Sequence, residues 1–221
     1  MKLTSVLAAK ATWLFEINRL NPKGLALKPL LDGVTERYKF AKAPANMLDL
    51  DEKKGLSFQQ GEFSTADGRD IFIALSIYND GFVVTTSSST ADATEFLEDL
   101  GLFVQSSGFS FPASDHVRKG FSSVLQVEYD TPLLAINPQL ERIIQFIESR
   151  LVSMDGKPRH FQMAALGFWS EDLTKSFAPV AFKFERKIGL PFEAHQFYSE
   201  APLQTHEHLE LLEELETILA I

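Results

Sequence analysis

The chain has no cysteine among its 221 residues. That absence removes disulfides, cysteine-ligated zinc, iron–sulfur clusters and a thiol nucleophile together, and it fits a reducing compartment. No apolar run approaches the length of a membrane span. The stretch from Met1 to Ala11 has a faint likeness to a secretory leader, but its apolar part is short and Lys10 interrupts it. A cytoplasmic protein without a membrane partner is therefore expected. Also missing are a Gly-x-Ser-x-Gly elbow, a phosphate-binding loop and a dinucleotide fingerprint. No cofactor is expected, and catalysis is not the favoured role.

What is present suits a folded interior. Hydrophobic residues make up 45% and charged residues 23%, ordinary values for a globular chain. Nineteen phenylalanines can bury a large apolar area. The net charge of −9 is unevenly spread: residues 1–43 carry +5, residues 44–115 carry −9, residues 116–160 carry +1 and residues 161–221 carry −6. Such asymmetry is compatible with a solvated surface, or with pairing to itself or to an oppositely charged partner.

Local patterns set the fold class. Thr12–Ile17 reads as a strand, and a short helix is expected from about Pro29 to Tyr38, with proline in the first turn. Leu56–Phe63, Asp70–Tyr78 and Phe82–Ser87 read as three consecutive antiparallel strands joined at Asp67-Gly68 and Asn79-Asp80-Gly81. Gly81 is expected in a left-handed position after a type I turn. Both faces of 70–78 are largely apolar, which predicts a central strand covered on each side. Ser89 and Asp92 open an amphipathic helix that carries Ala93, Phe96, Leu97, Leu100 and Val104, with Gly101 as a possible early end. Ser123–Tyr129 alternates as a strand. Asn137-Pro138 starts a helix whose stripe is Leu140, Ile143, Ile144, Ile147 and Leu151. His160–Trp169 and Pro179–Lys187 read as strands. A last helix, Thr205–Ala220, has Leu211, Leu212, Leu215, Ile218 and Leu219 on one side and five glutamates on the rest. The order of strands then helix at 56–105 echoes at 160–220. The expectation is a single α+β domain over residues 1–221, with a mainly antiparallel twisted sheet and packed amphipathic helices.

The residues that could carry chemistry are few. His206 and His208 lie two apart and face opposite sides of a helix, so they cannot share one metal ion, and no metal site is expected. Asp49, Asp51 and Glu52 lack the glycine and distal glutamate of a calcium loop. Ser114-Asp115-His116 holds triad residue types, but contiguous residues do not align into a relay. His116, His160 and Asp115 are the weak catalytic candidates, suited to a hydrolase whose acid is brought close by folding. Lys10, Arg19, Lys23, Lys28, Arg37, Lys39 and Lys42 sit among Trp13, Phe15, Tyr38 and Phe40, a mixture that can grip nucleic acid. Those aromatics fall where elements would bury them, so nucleic acid is not the favoured partner.

Loop aromatics Phe109, Phe111, Phe192 and Phe197, together with Leu211 and Leu215 of the last helix, are the interaction candidates. The reading is a non-catalytic protein-interaction or assembly component of a cytoplasmic complex, self-associating or bound to a protein partner. A hydrolase without a local motif, and nucleic-acid binding through the basic N-terminal region, are the alternatives.

Overall fold

The computed structural model describes residues 1–44, 55–113, 116–171 and 178–220. Its elements run β1 (Lys2–Leu14), α1 (Lys28–Arg37), β2 (Leu56–Ser64), β3 (Asp70–Tyr78), β4 (Gly81–Thr86), α2 (Thr90–Ser106), β5 (Arg118–Glu128), α3 (Glu141–Asp155), β6 (Ala165–Phe168), β7 (Phe182–Arg186), β8 (Gln196–Ala201) and α4 (Thr205–Leu219). The order β-α-β-β-β-α thus occurs twice. The fold class is α+β, as expected. Two compact units emerge. An N-terminal unit holds Val6–Val124 and Pro202–Thr205, and a C-terminal unit holds Met1–Ser5, Leu125–Ala201 and His206–Ile221.

In the N-terminal unit the strand order is β2-β3-β4-β1, with antiparallel pairing. β1 is far longer than the segment 12–17 read from sequence. Its early residues, which imitate a leader, alternate as strand, with Ala9, Ala11 and Trp13 buried. The Asp67-Gly68 hairpin forms, with Ser64 opposite Asp70. β2 contains a bulge between Phe58 and Gly61, where Gln60 takes a φ of 57°.

Gly81 follows the Asn79–Asp80 turn with a positive φ, 148°, as expected. It is the first residue of β4, and a Cβ there would lie 2.0 Å from the Trp13 carbonyl oxygen. Glycine is required by the close approach of β1.

One face of this four-stranded layer is buried. Ile71, Ile73 and Leu75 of β3 pack with Val84 and Phe82 of β4, beneath Leu31 and Val34 of α1 and Phe96, Leu97 and Leu100 of α2. Edge-to-face rings bind the layers, among them Tyr38–Phe96 at 4.8 Å and Phe63–Phe96 at 5.5 Å. On the other face of β3 Phe72 is 70% exposed, while Ala74, Ser76 and Tyr78 are half-buried. The two-sided covering predicted for this strand is therefore corrected at Phe72. Helix α2 runs through Gly101 without ending, and Phe111 packs where a side chain at 101 would stand, 2.9 Å from an ideal Cβ.

In the C-terminal unit the order is β6-β7-β8-β5. β6 and β7 are shorter than the sequence predicts, and β8 occupies a stretch read as irregular. Phe184 and Phe197 stack at 4.7 Å, and Tyr129 meets Phe184 at 5.0 Å. Leu212, Leu215 and Leu219 of α4 join them in the interior. The stripe predicted to bury α3 does not do so: Ile143 and Ile147 are exposed, and Leu140, Ile144 and Leu151 are only half-buried. No helix among the described residues is long and apolar enough to cross a membrane.

Candidate functional site

Helix α4 has two apolar faces, and the difference between them creates the candidate site. His208, Leu212, Leu215 and Leu219 recur at the helical period and turn inward. Tyr129 donates its hydroxyl hydrogen bond to the Leu212 carbonyl oxygen. Burial, with Glu213 adding to it, pushes that hydroxyl's pKa above its ordinary value. One step around the helix, Leu211, Glu214 and Ile218 face outward, with Leu211 36% exposed.

These side chains form one wall of a groove of about 240 Å³. Leu166 and Phe168 of β6, Phe182 of β7 and Ile136 form the remainder, and Leu215 closes the floor. Phe168 and Phe182 stack at 5.8 Å with their planes 18° apart, and Phe168 is 62% exposed. Glu214 is the single charged residue among the described lining residues. The volume falls below the range of about 300–1,000 Å³ common for small-molecule sites. It suits one or two apolar side chains, and the groove has no convergent set of polar groups to orient a reacting substrate.

The interaction candidates fall on both sides of the surface. Phe109, Phe197 and Leu215 are buried, Phe111 and Phe192 are half-buried, and Leu211 is exposed. Phe111 packs against Phe15 at 5.6 Å, and Arg186 stands over the Phe192 ring at 4.5 Å. Leu211 and Leu215 share a cavity. Phe168, Phe182 and Ile136 were not among the candidates. The signal available for Phe168 was its neighbour Trp169 on a short apolar strand.

Of the catalytic candidates, His116 and His160 lie among the described residues. His116 is exposed and lines a shallow cavity with Arg19, Ser110, Phe111, Pro112 and Ala113, with no carboxylate among the described lining residues. His160 is exposed, with Nδ1 3.9 Å from Glu148, beyond hydrogen-bond reach. Asp115 lies outside the described residues, as do Asp49, Asp51 and Glu52.

A serine–histidine pair exists elsewhere. Ser199 Oγ lies 2.8 Å from His208 Nε2 and donates to the Lys183 carbonyl oxygen at 3.1 Å. With the hydroxyl proton so committed, Nε2 is the donor, the reverse of a nucleophile activated by a base. Both residues are sealed from solvent. Burial lowers the His208 pKa to about 4. His206, two residues earlier on α4, is exposed, so the two histidines stand on different sides of the helix.

In the basic N-terminal region Arg19, Lys28, Arg37 and Lys39 form ion pairs. Trp13, Phe15, Tyr38 and Phe40 are buried. Arg37 grips Asp99 at 2.8 Å and Lys39 meets Glu62 at 2.9 Å. The Tyr38 hydroxyl donates to Asp99 at 2.7 Å, and burial and that carboxylate raise its pKa. At the start of α2, burial works to raise the Asp92 carboxyl, but hydrogen bonds from Ser88, Arg69 and Ser89 outweigh it and hold its pKa below the ordinary value.

No family model matches the chain, and no curated protein matches it. Among solved structures, the chain is similar to Methanococcus jannaschii TBP, with 12% sequence identity and a TM-score of 0.42, over 99% of this chain and 96% of that one.

Proposed function

We propose that the chain is a non-catalytic protein-interaction or assembly component, and that its C-terminal unit docks apolar side chains of a partner protein in the groove between α4 and the β6–β7 strands. The observation that carries this reading is the lining: seven apolar side chains and one carboxylate, with large rings and leucines left open to water. Leaving such surface exposed is unfavourable by roughly 25 cal/mol for each Å², and covering it supplies a driving force for association. The occupant is an apolar segment presented at helical or extended spacing, a recurrent mode of peptide recognition. The setting is cytoplasmic, and the chain works as part of a homo-oligomer or larger complex.

The test is the native size of the tagged full chain extracted from its cells. The wild-type chain should elute in an assembly larger than a monomer. Leu211→Asp should elute as a monomer with unchanged circular dichroism. A wild-type monomer under all extraction conditions, or an assembly indifferent to Leu211→Asp, overturns the reading.

A further inference from the structure

The groove has a counterpart on the same chain. Helix α3 presents Ile143, Phe146, Ile147 and Met154 to solvent, with Phe146 59% exposed. Arg150 stands in the same stripe, its guanidinium 5.0 Å from the centre of the Phe146 ring. At about 100° per residue these five positions fall within an arc of roughly 100°. Leu140, Ile144 and Leu151, which are half-buried, lie about a quarter-turn away. The side committed to its own chain and the exposed stripe are therefore different faces.

The two surfaces match in chemistry. The exposed stripe of α3 is apolar and carries one cation, Arg150. The groove is apolar and carries one anion, Glu214. Neither charge makes an ion pair with another described residue. Resting on the docking role proposed above, we infer that the occupant of the groove is the α3 stripe of a second copy of this chain, received reciprocally, with Arg150 of each copy set against Glu214 of the other. With both stripe-to-groove contacts made at once across a two-fold axis, the dimer closes and leaves no open end. The buried rings supply affinity, and the charge pair supplies register and choice of partner.

Sedimentation velocity of the purified full chain over a concentration series tests this. The wild-type chain should form a dimer. Phe146→Asp, Glu214→Arg and Arg150→Glu should each weaken dimerisation by about tenfold or more, with circular dichroism unchanged. An equimolar mixture of the Glu214→Arg and Arg150→Glu chains should recover the dimer, because every stripe then meets a groove of opposite charge. A chain that stays monomeric at all concentrations, a dimer insensitive to these reversals, or reversals not rescued by mixing overturns the inference. A monomeric purified chain that occurs in cells within a Leu211-dependent assembly with a different protein removes the reciprocal dimer and leaves the docking role standing. Loss of the cellular assembly as well removes both.

Discussion

His208 shows how one buried polar side chain fixes a pH dependence. In the unfolded chain it titrates near its ordinary 6.5, and in the fold burial lowers the value to about 4. Below 6.5 the unfolded state binds the proton first. The stability from keeping this ring neutral is therefore complete above about pH 6.5 and lost as pH falls towards 4, with a span of about 3 kcal/mol. Thermal unfolding followed between pH 7 and 4 should show the midpoint falling over that window. His208→Gln, which does not titrate, should flatten that part of the curve; an equally steep fall in the variant contradicts the assignment. Gly81 is the second residue-scale test. Gly81→Ala should cost about 2–3 kcal/mol in denaturant unfolding, because the added methyl meets the Trp13 carbonyl of the neighbouring strand. The turn and the positive φ of this glycine were legible in the sequence; the approach of β1 was not, because it is a long-range fact.

At the scale of elements, α4 separates core from groove. Leu212→Ala should destabilise by about 2–5 kcal/mol, whereas Leu211→Ala, one residue earlier on the open face, should cost less than about 1 kcal/mol. Equal costs would mean that the groove is part of the interior. Helical periodicity made α2 and α4 readable, as the two-residue period and the Asp-Gly and Asn-Asp-Gly turns did β2, β3 and β4. β8 was hidden because two of its three inward positions are Ser199 and Ala201, which give no hydrophobic alternation. Ser199 is buried for its hydrogen bond to His208. The apolar face of β3 at Phe72 and that of α3 were legible as faces, but periodicity says only that a face exists. Whether another element reaches it is settled by topology, and neither face was covered as expected.

For the molecule as a whole, the echo noticed between residues 56–105 and 160–220 belongs to a complete repetition of β-α-β-β-β-α, with matching strand orders in the two units. It left no shared residue motif because the repeat lies in pattern and packing. The uneven charge has an internal account: basic residues of 1–43 meet acidic residues of 44–115 within the N-terminal unit, through Arg37–Asp99 and Lys39–Glu62. Charge asymmetry therefore pointed partly inward. The groove itself was half legible: Leu211 and Leu215 stood on an apolar stripe, but the opposing Phe168 and Phe182 come from strands far away in sequence. Its role is tested most directly by a photo-crosslinking amino acid placed at position 211 in the full chain in its own cells, with position 72 on the other unit's open strand face as control. The account predicts a protein adduct at 211 that is stronger than at 72 and is lost when Phe168→Asp is added. An adduct of equal strength at both positions, or none at 211, would contradict it.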